Sequence, residues 1–210
     1  MTRDQIVAAA LRLVDRDGLE ALSMRNLARE VGAGVMSLYY HVEDKSALYD
    51  LVLDAILGGI DLTIADSDAP ATERIERMAR AYRTALLEHP HAASLVAQRP
   101  LRTPTQLRPI EVMLGVLLDA GLSPCNALQA VNVLGQFVIG TTTMYVNHLI
   151  DSEYHDDRIS PDPTEFPNLI SVFSSTPGPD WDADFDAGLA ALVDRLVGCS
   201  VEGKSRFRSE

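Results

Sequence analysis

The chain has 210 residues, 47% hydrophobic and 23% charged, which excludes a disordered or fibrous protein and leaves room for one globular unit or two small ones. Its 18 basic and 30 acidic side chains give a net charge of −12, which argues against nucleic acid as a general partner. Two cysteines, Cys125 and Cys199, exclude a disulfide framework, and no run approaches the roughly 20 apolar residues of a membrane helix. The N-terminus carries no apolar signal core, so a cytoplasmic setting is expected. The charge is uneven: residues 1–50 hold 6 basic and 8 acidic groups. That near-neutral stretch is compatible with a local DNA-facing patch.

No proline interrupts residues 1–69, and apolar spacing there predicts four helices joined by very short turns. Ile6, Val7, Ala10, Leu11 and Val14 share a face of the first, which Asp17-Gly18 ends. Ser23 is a suitable N-cap for the second, with Leu27, Ala28 and Val31 on one side. Gly32-Ala33-Gly34 turns into a third helix, about Val35 to His41, with Leu38 inward. Asp44 caps a fourth that carries Leu48, Leu51, Val52, Ala55 and Ile56 at helical spacing.

After a polar connection at residues 61–71, a helix starts near Thr72 and stops at His89-Pro90, with Ile75, Met78, Ala79, Tyr82 and Leu86 on one face. A short helix to about Val96 and a loop through Arg99-Pro100 and Thr103-Pro104 come next. The following helix, Leu107 to Ala120, is expected to bury Ile110, Met113, Leu114, Leu117 and Leu118. Ser123-Pro124 opens a long helix to about Leu149, apolar around most of its girth and so central or interfacial. Residues 151–184 hold 9 acidic groups and 5 of the 11 prolines, and read as a loop with one short helix near Glu165 to Phe173. The last helix, about Trp181 to Val197, aligns Phe185, Leu189, Leu192, Val193 and Leu196; the polar tail after Gly198 is expected to fray. No strand pattern stands out. The expected class is all-α, with a helix-turn-helix unit at 1–60 and a larger helical bundle at 61–205.

Residues Ser23 to Leu48 read as helix, glycine turn, helix. The second helix of such a pair fits a major groove about 12 Å wide. With Leu38 and Val42 inward, Val35, Met36, Ser37 and Tyr40 are free to meet base edges. The segment resembles the tetracycline repressor (TetR) family through Leu27-Ala28, Val31-Gly32, Leu38-Tyr39-Tyr40-His41-Val42 and Lys45-Ser46-Ala47-Leu48, over about residues 5–52. A looser likeness to the family's C-terminal domain rests on Gln98-Arg99-Pro100, Asp119 to Ser123, Gln136 to Gly140 and the final helix. The resemblance implies a homodimeric, ligand-responsive transcription factor, usually a repressor, on a palindromic double-stranded DNA operator. It implies a base or phosphate contact for Arg25, a recognition surface at Val35, Met36, Ser37 and Tyr40, and phosphate contacts for Tyr39, His41 and Lys45. The chemistry agrees, since cations neutralise phosphate, and hydroxyls and imidazole hydrogen-bond it. Val35 and Met36 offer apolar contact to thymine methyls instead of hydrogen bonds. Each residue also has an ordinary role: packing for the tyrosines, solvated charge for Lys45, an ion pair with Glu30 or Glu43 for Arg25.

The resemblance further implies a small-molecule pocket among the C-terminal helices. Tyr82, Leu86, Leu95, Met113, Leu117, Phe137, Thr141 and Met144 are candidate lining residues, with core packing as the alternative for each. An apolar wall with a few polar groups suits a largely apolar inducer. Tetracycline repressors hold a metal through a histidine just before the Arg-Pro pair, where this chain has Leu95-Val96-Ala97-Gln98. His89 and His91 diverge on a helix, so neither metal nor cofactor is expected. Dimerisation is expected through helices at about 124–149 and 181–197, with Gly135 and Gly140 permitting close approach. No hydrolase, nucleotide-binding or zincin motif points to an enzyme. Cys125, at a helix start, reads as a small buried residue, with redox sensing as the alternative. Two other readings are an activator, and a ligand-binding or dimerisation module that has lost DNA binding; the acidity and the apolar recognition helix motivate the second.

Overall fold

Local signals set most helix ends. Thr2 and Gln5 form a reciprocal capping box at the start of α1 (Arg3–Asp17), and Gly18 ends it at φ 80°. Ser23 Oγ accepts from the Asn26 N–H to start α2 (Met24–Glu30), and Asp44 Oδ1 accepts from the Ala47 N–H to start α4 (Lys45–Gly58). Between them Gly32 takes φ 67° and Gly34 caps α3 (Val35–Tyr39). There follow α5 (Ala71–Leu87), α6 (Pro90–Gln98), α7 (Pro104–Asp119), α8 (Pro124–Tyr154), α9 (Pro167–Ser175) and α10 (Trp181–Arg206). The computed structural model describes the backbone of residues 2–154 and 161–206 and the side chains of 2–150 and 161–198. Among them there is no strand, and the fold is all-α.

The five residues of α3 are too few to hold a helix in water. Burial holds them: Leu38 and Val42 pack with Ile6, Leu27, Leu48 and Val52, all buried. Each such side chain contributes roughly 1.5–3 kcal/mol on leaving water. In the larger bundle α8 is central, packed by α5, α6, α7 and α10. The seam between α5 and α10 is tied by Arg80 to Asp186 at 2.9 Å and Arg83 to Asp182 at 2.7 Å.

Several expectations need correction. The long helix is central as expected, with Leu134 and Val138 buried, while its Leu128 and Met144 are exposed. Leu118 is exposed too, because α7 turns Val116 and Leu117 inward at that level. Cys125 is exposed rather than buried, on the side of the first turn of α8 away from the buried Ala127. Inside the protomer a close approach not expected from the sequence occurs at Gly188, where a Cβ would meet the Phe137 ring at 2.7 and 2.9 Å; a Cβ on Gly135 or Gly140 meets nothing within 4 Å, which leaves both open to a second subunit. A capping box between Thr103 and Gln106 starts α7 a turn earlier than Leu107. Helix α9 is shifted along the chain by two residues and buries none of its side chains, and α10 runs on past Gly198 to Arg206. The acidic pair Asp156-Asp157 of the 151–184 segment lies outside the described residues.

Candidate nucleic-acid interface and ligand cavity

The turn between α2 and α3 closes when the Ala33 N–H donates to the Ala28 carbonyl at 2.9 Å. With Leu38 buried beneath it, α3 presents its other side to solvent, where Met36 is 81% and Tyr40 91% exposed. Ser37, Tyr39 and His41 are exposed as well, and the His41 ring meets the Tyr40 ring edge-on at 5.9 Å. Val35 is half-buried against the core. Lys45 is exposed as the first residue of α4. Arg25 is exposed on the first turn of α2 and has no ion-pair partner among the described residues; Glu30 is taken by Arg12 at 3.7 Å and Arg16 at 3.3 Å. One end of the molecule thus gathers a guanidinium, an ammonium, an imidazole and several hydroxyls around an apolar tip, a mixture suited to phosphates and base edges.

A cavity of about 260 Å³ lies among α4, α5, α6, α7 and α8. Its wall is chiefly apolar, with Leu57, Met78, Met113, Val138 and Ile139, and contains no charged side chain. The polar groups on it are Tyr82, Gln106, Asn132 and Gln136. Burial pushes the Tyr82 hydroxyl well above the ordinary phenol value.

Of the eight residues predicted for the pocket, Tyr82 and Met113 stand in this wall. Leu86, Leu95 and Leu117 are buried in the core outside it, with Val96 facing the cavity from α6. Phe137 stacks on Phe185 at 5.5 Å, and the Thr141 hydroxyl donates to the Phe137 carbonyl at 2.7 Å. Met144 faces solvent. The cavity meets α8 at residues 131–139, so Thr141 and Met144 lie beyond its end.

The two sites share α4. Ser46, Asp50, Asp54 and Gly58 recur every fourth residue and form one stripe toward the start of α7. Arg99 Nη2 donates to Ser46 Oγ at 2.7 Å and to Asp50 Oδ1 at 3.2 Å. Gln106 Nε2 donates to the Asp50 carbonyl at 3.2 Å and to Asp54 Oδ1 at 3.0 Å, and the Thr103 hydroxyl also donates to Asp54. Arg3 of α1 reaches the same carboxylate at 3.5 Å. At Gly58 a Cβ would lie 2.9 Å from Thr105 Cγ2.

Residues 6–52 match the model for bacterial regulatory proteins of the tetR family, and residues 67–197 match that for the tetracyclin repressor-like C-terminal domain. The chain belongs to the TetR family. An HTH-type transcriptional regulator of Saccharopolyspora erythraea is 35% identical over 198 residues, spanning 92% of this chain and 83% of that protein. The HTH-type transcriptional repressor DrrR1 of Streptomyces coeruleorubidus is 29% identical over 93% of this chain and 77% of its own length. Apo ActR from Streptomyces coelicolor has the same fold, with a TM-score of 0.80 at 29% identity over 97% of this chain and 98% of that one. The same protein in complex with actinorhodin gives a TM-score of 0.79 at 29% identity, over 95% and 98% of the two chains.

This TetR-family chain carries two features that residue patterns had not revealed. The four-residue repeat Ser46, Asp50, Asp54, Gly58 was visible, but it reads as the solvated back of an amphipathic helix until its partners on the 99–106 segment are known. Gln106, 1% exposed, is a buried amide that polarity alone assigns to the surface. Among the described residues no cluster of three His, Cys, Asp or Glu could hold a metal ion, and no helix is long and apolar enough to cross a membrane. His89 pairs instead with Asp15 across α6 and α1, at 3.0 Å.

Proposed function

We propose that this chain is a cytoplasmic homodimeric repressor that reads a palindromic operator and leaves it when an uncharged, largely apolar molecule fills the cavity. Residues 1–60 are the reading unit, and 61–205 bind the inducer and the second subunit. The observation that carries this reading is the exposure of Met36 and Tyr40 on a helix whose opposite side is fully buried. A methionine and a tyrosine held this far into water gain from a surface that covers them, and a major groove is such a surface. In this reading Tyr40, Met36 and Ser37 touch base edges, while Tyr39, His41, Lys45 and Arg25 hold phosphates. Val35 supports the helix from its half-buried position. The repressor description of DrrR1 and the actinorhodin complex of ActR support the same reading.

Dimerisation through α8 and α10 would cover exposed apolar side chains of α8, among them Leu128 and Met144 on its two flanks. A two-fold axis there sets two α3 helices about 34–36 Å apart, one turn of DNA. Regulation is a population shift: an occupant that binds better to a conformation with misplaced reading units depletes the DNA-bound one.

The test is selection of bound duplexes from a random pool at two salt concentrations. The expected product is a palindrome with half-sites about one helical turn apart, bound less tightly as salt rises. A pool that stays random, with no retained duplex at low salt, would show instead a binding module without a reader.

A further inference from the structure

Gln106 stands in the cavity wall, yet its amide is fully occupied elsewhere. Its Oε1 accepts from the Arg102 N–H at 2.8 Å and the Thr103 N–H at 3.4 Å. Its Nε2 donates to the Asp50 carbonyl at 3.2 Å and Asp54 Oδ1 at 3.0 Å. An amide has two acceptor sites and two N–H groups, so nothing remains for a molecule in the cavity. Because Gln106 is buried, it cannot turn toward an occupant, or be pushed by one, without breaking its hydrogen bonds to groups on α4. Those groups are specific ones. Asp54 also receives the Thr103 hydroxyl and Arg3, so one carboxylate is shared by α1, α4 and α7. Two turns earlier on the same stripe is Ser46, next to Lys45 at the exposed end of α4.

We propose that Gln106 is the positioning residue through which occupancy of the cavity reaches the reading unit: it closes the wall on one side and fixes the register of α4, through Asp50 and Asp54, on the other. This rests on the reading above that the cavity takes the inducer. An occupant that displaces the first turn of α7 acts on α4 at Asp54 and, through Arg3, on α1. The loop bond from Arg99 to Ser46 holds α4 nearer its N-terminus but does not touch the cavity wall, since Arg99 is not among the wall residues.

A thermodynamic cycle tests this without a known ligand. Gly135 lines the cavity, and a Cβ there meets nothing within 4 Å, so Gly135→Leu fills part of the space from within. Dissociation constants for the selected operator duplex are measured for the parent chain, Gly135→Leu, Gln106→Met and the double variant. The expected result is a loss of about tenfold or more from Gly135→Leu in the parent, reduced to about threefold or less in the Gln106→Met background. An equal loss in both backgrounds overturns the role of Gln106 while leaving the cavity as the inducer site. No loss in the parent overturns the cavity reading itself, and the inference with it. Thermal unfolding of each variant accompanies the titrations. If Gln106→Met does not fold, Asp54→Ala cuts the same link from α4 with the Thr103–Gln106 capping box intact, and the same ratios decide.

Discussion

The guanidinium of Arg99 lies over the ring of Tyr49, 5.2 Å from its centroid, and Lys45 Nζ lies 5.3 Å from the same centroid. Arg99 belongs to the loop after α6, and Lys45 begins α4, so this ring joins the bundle to the end of the reading unit. Arg99→Ala removes the bonds to Ser46 and Asp50 in a half-buried setting, and is expected to cost about 1.5–3 kcal/mol of folding stability. Operator affinity should fall with it, because the N-terminal turn of α4 loses its support. Urea unfolding and operator titration read the two effects separately; an unchanged affinity would mean that Lys45 is positioned without the loop.

Contacts to bases and to phosphates should separate by specificity. Tyr40→Ala should weaken operator binding by about 1–3 kcal/mol and relax preference at one position of each half-site. Lys45→Ala should weaken all sequences alike and reduce the salt slope by about one unit. Titrations on operator and scrambled duplexes at several salt concentrations make the comparison. If both variants bind as the parent does, α3 does not dock as proposed.

Gly188→Ala is expected to destabilise the fold by about 1–3 kcal/mol, because its Cβ would press into the Phe137 ring, itself stacked on Phe185. Gly115 is the internal control: it is exposed on α7 with nothing within 4 Å of a Cβ. There Gly→Ala should add up to about 1 kcal/mol by helix propensity. Equilibrium unfolding that moves both variants in the same direction would contradict the packing at Gly188.

Tyr82 predicts behaviour in alkali. Burial holds its hydroxyl above the ordinary value of 10.0, so above that pH the unfolded chain gives up a proton that the folded chain retains. The folded state binds more protons there, and stability present below this range is lost as pH rises through it. Tyr82→Phe removes the effect while keeping the ring. Urea midpoints at about pH 9 and about pH 11 should fall less for Tyr82→Phe than for the parent. Equal falls would place the hydroxyl in water.

How much of this could be read from residues alone differs by element. Ser23, Asp44, Gly18 and Gly32 announced helix ends because a cap or a left-handed turn is decided by one side chain or its absence. Leu38 announced the inward side of α3 because periodicity fixes which residues share a face. The cavity was harder, because apolar periodicity does not distinguish a core contact from a wall. Tyr82 and Leu86 lie one turn apart on the same face of α5, and only the first borders empty space. Gln106 was illegible for the opposite reason: its burial depends on partners about fifty residues earlier in the chain, on another helix.

The apolar tip of α3 has a consequence for the chemistry of the DNA it meets. Met36 has no group that distinguishes hydrogen-bond donors from acceptors; what it senses in a major groove is a methyl. Thymine carries that methyl, and so does cytosine once it is methylated at the same ring carbon. In the docking proposed above, the Met36 contact would not separate thymine from a cytosine methylated at that carbon, so modification of the DNA at that position would leave this contact intact.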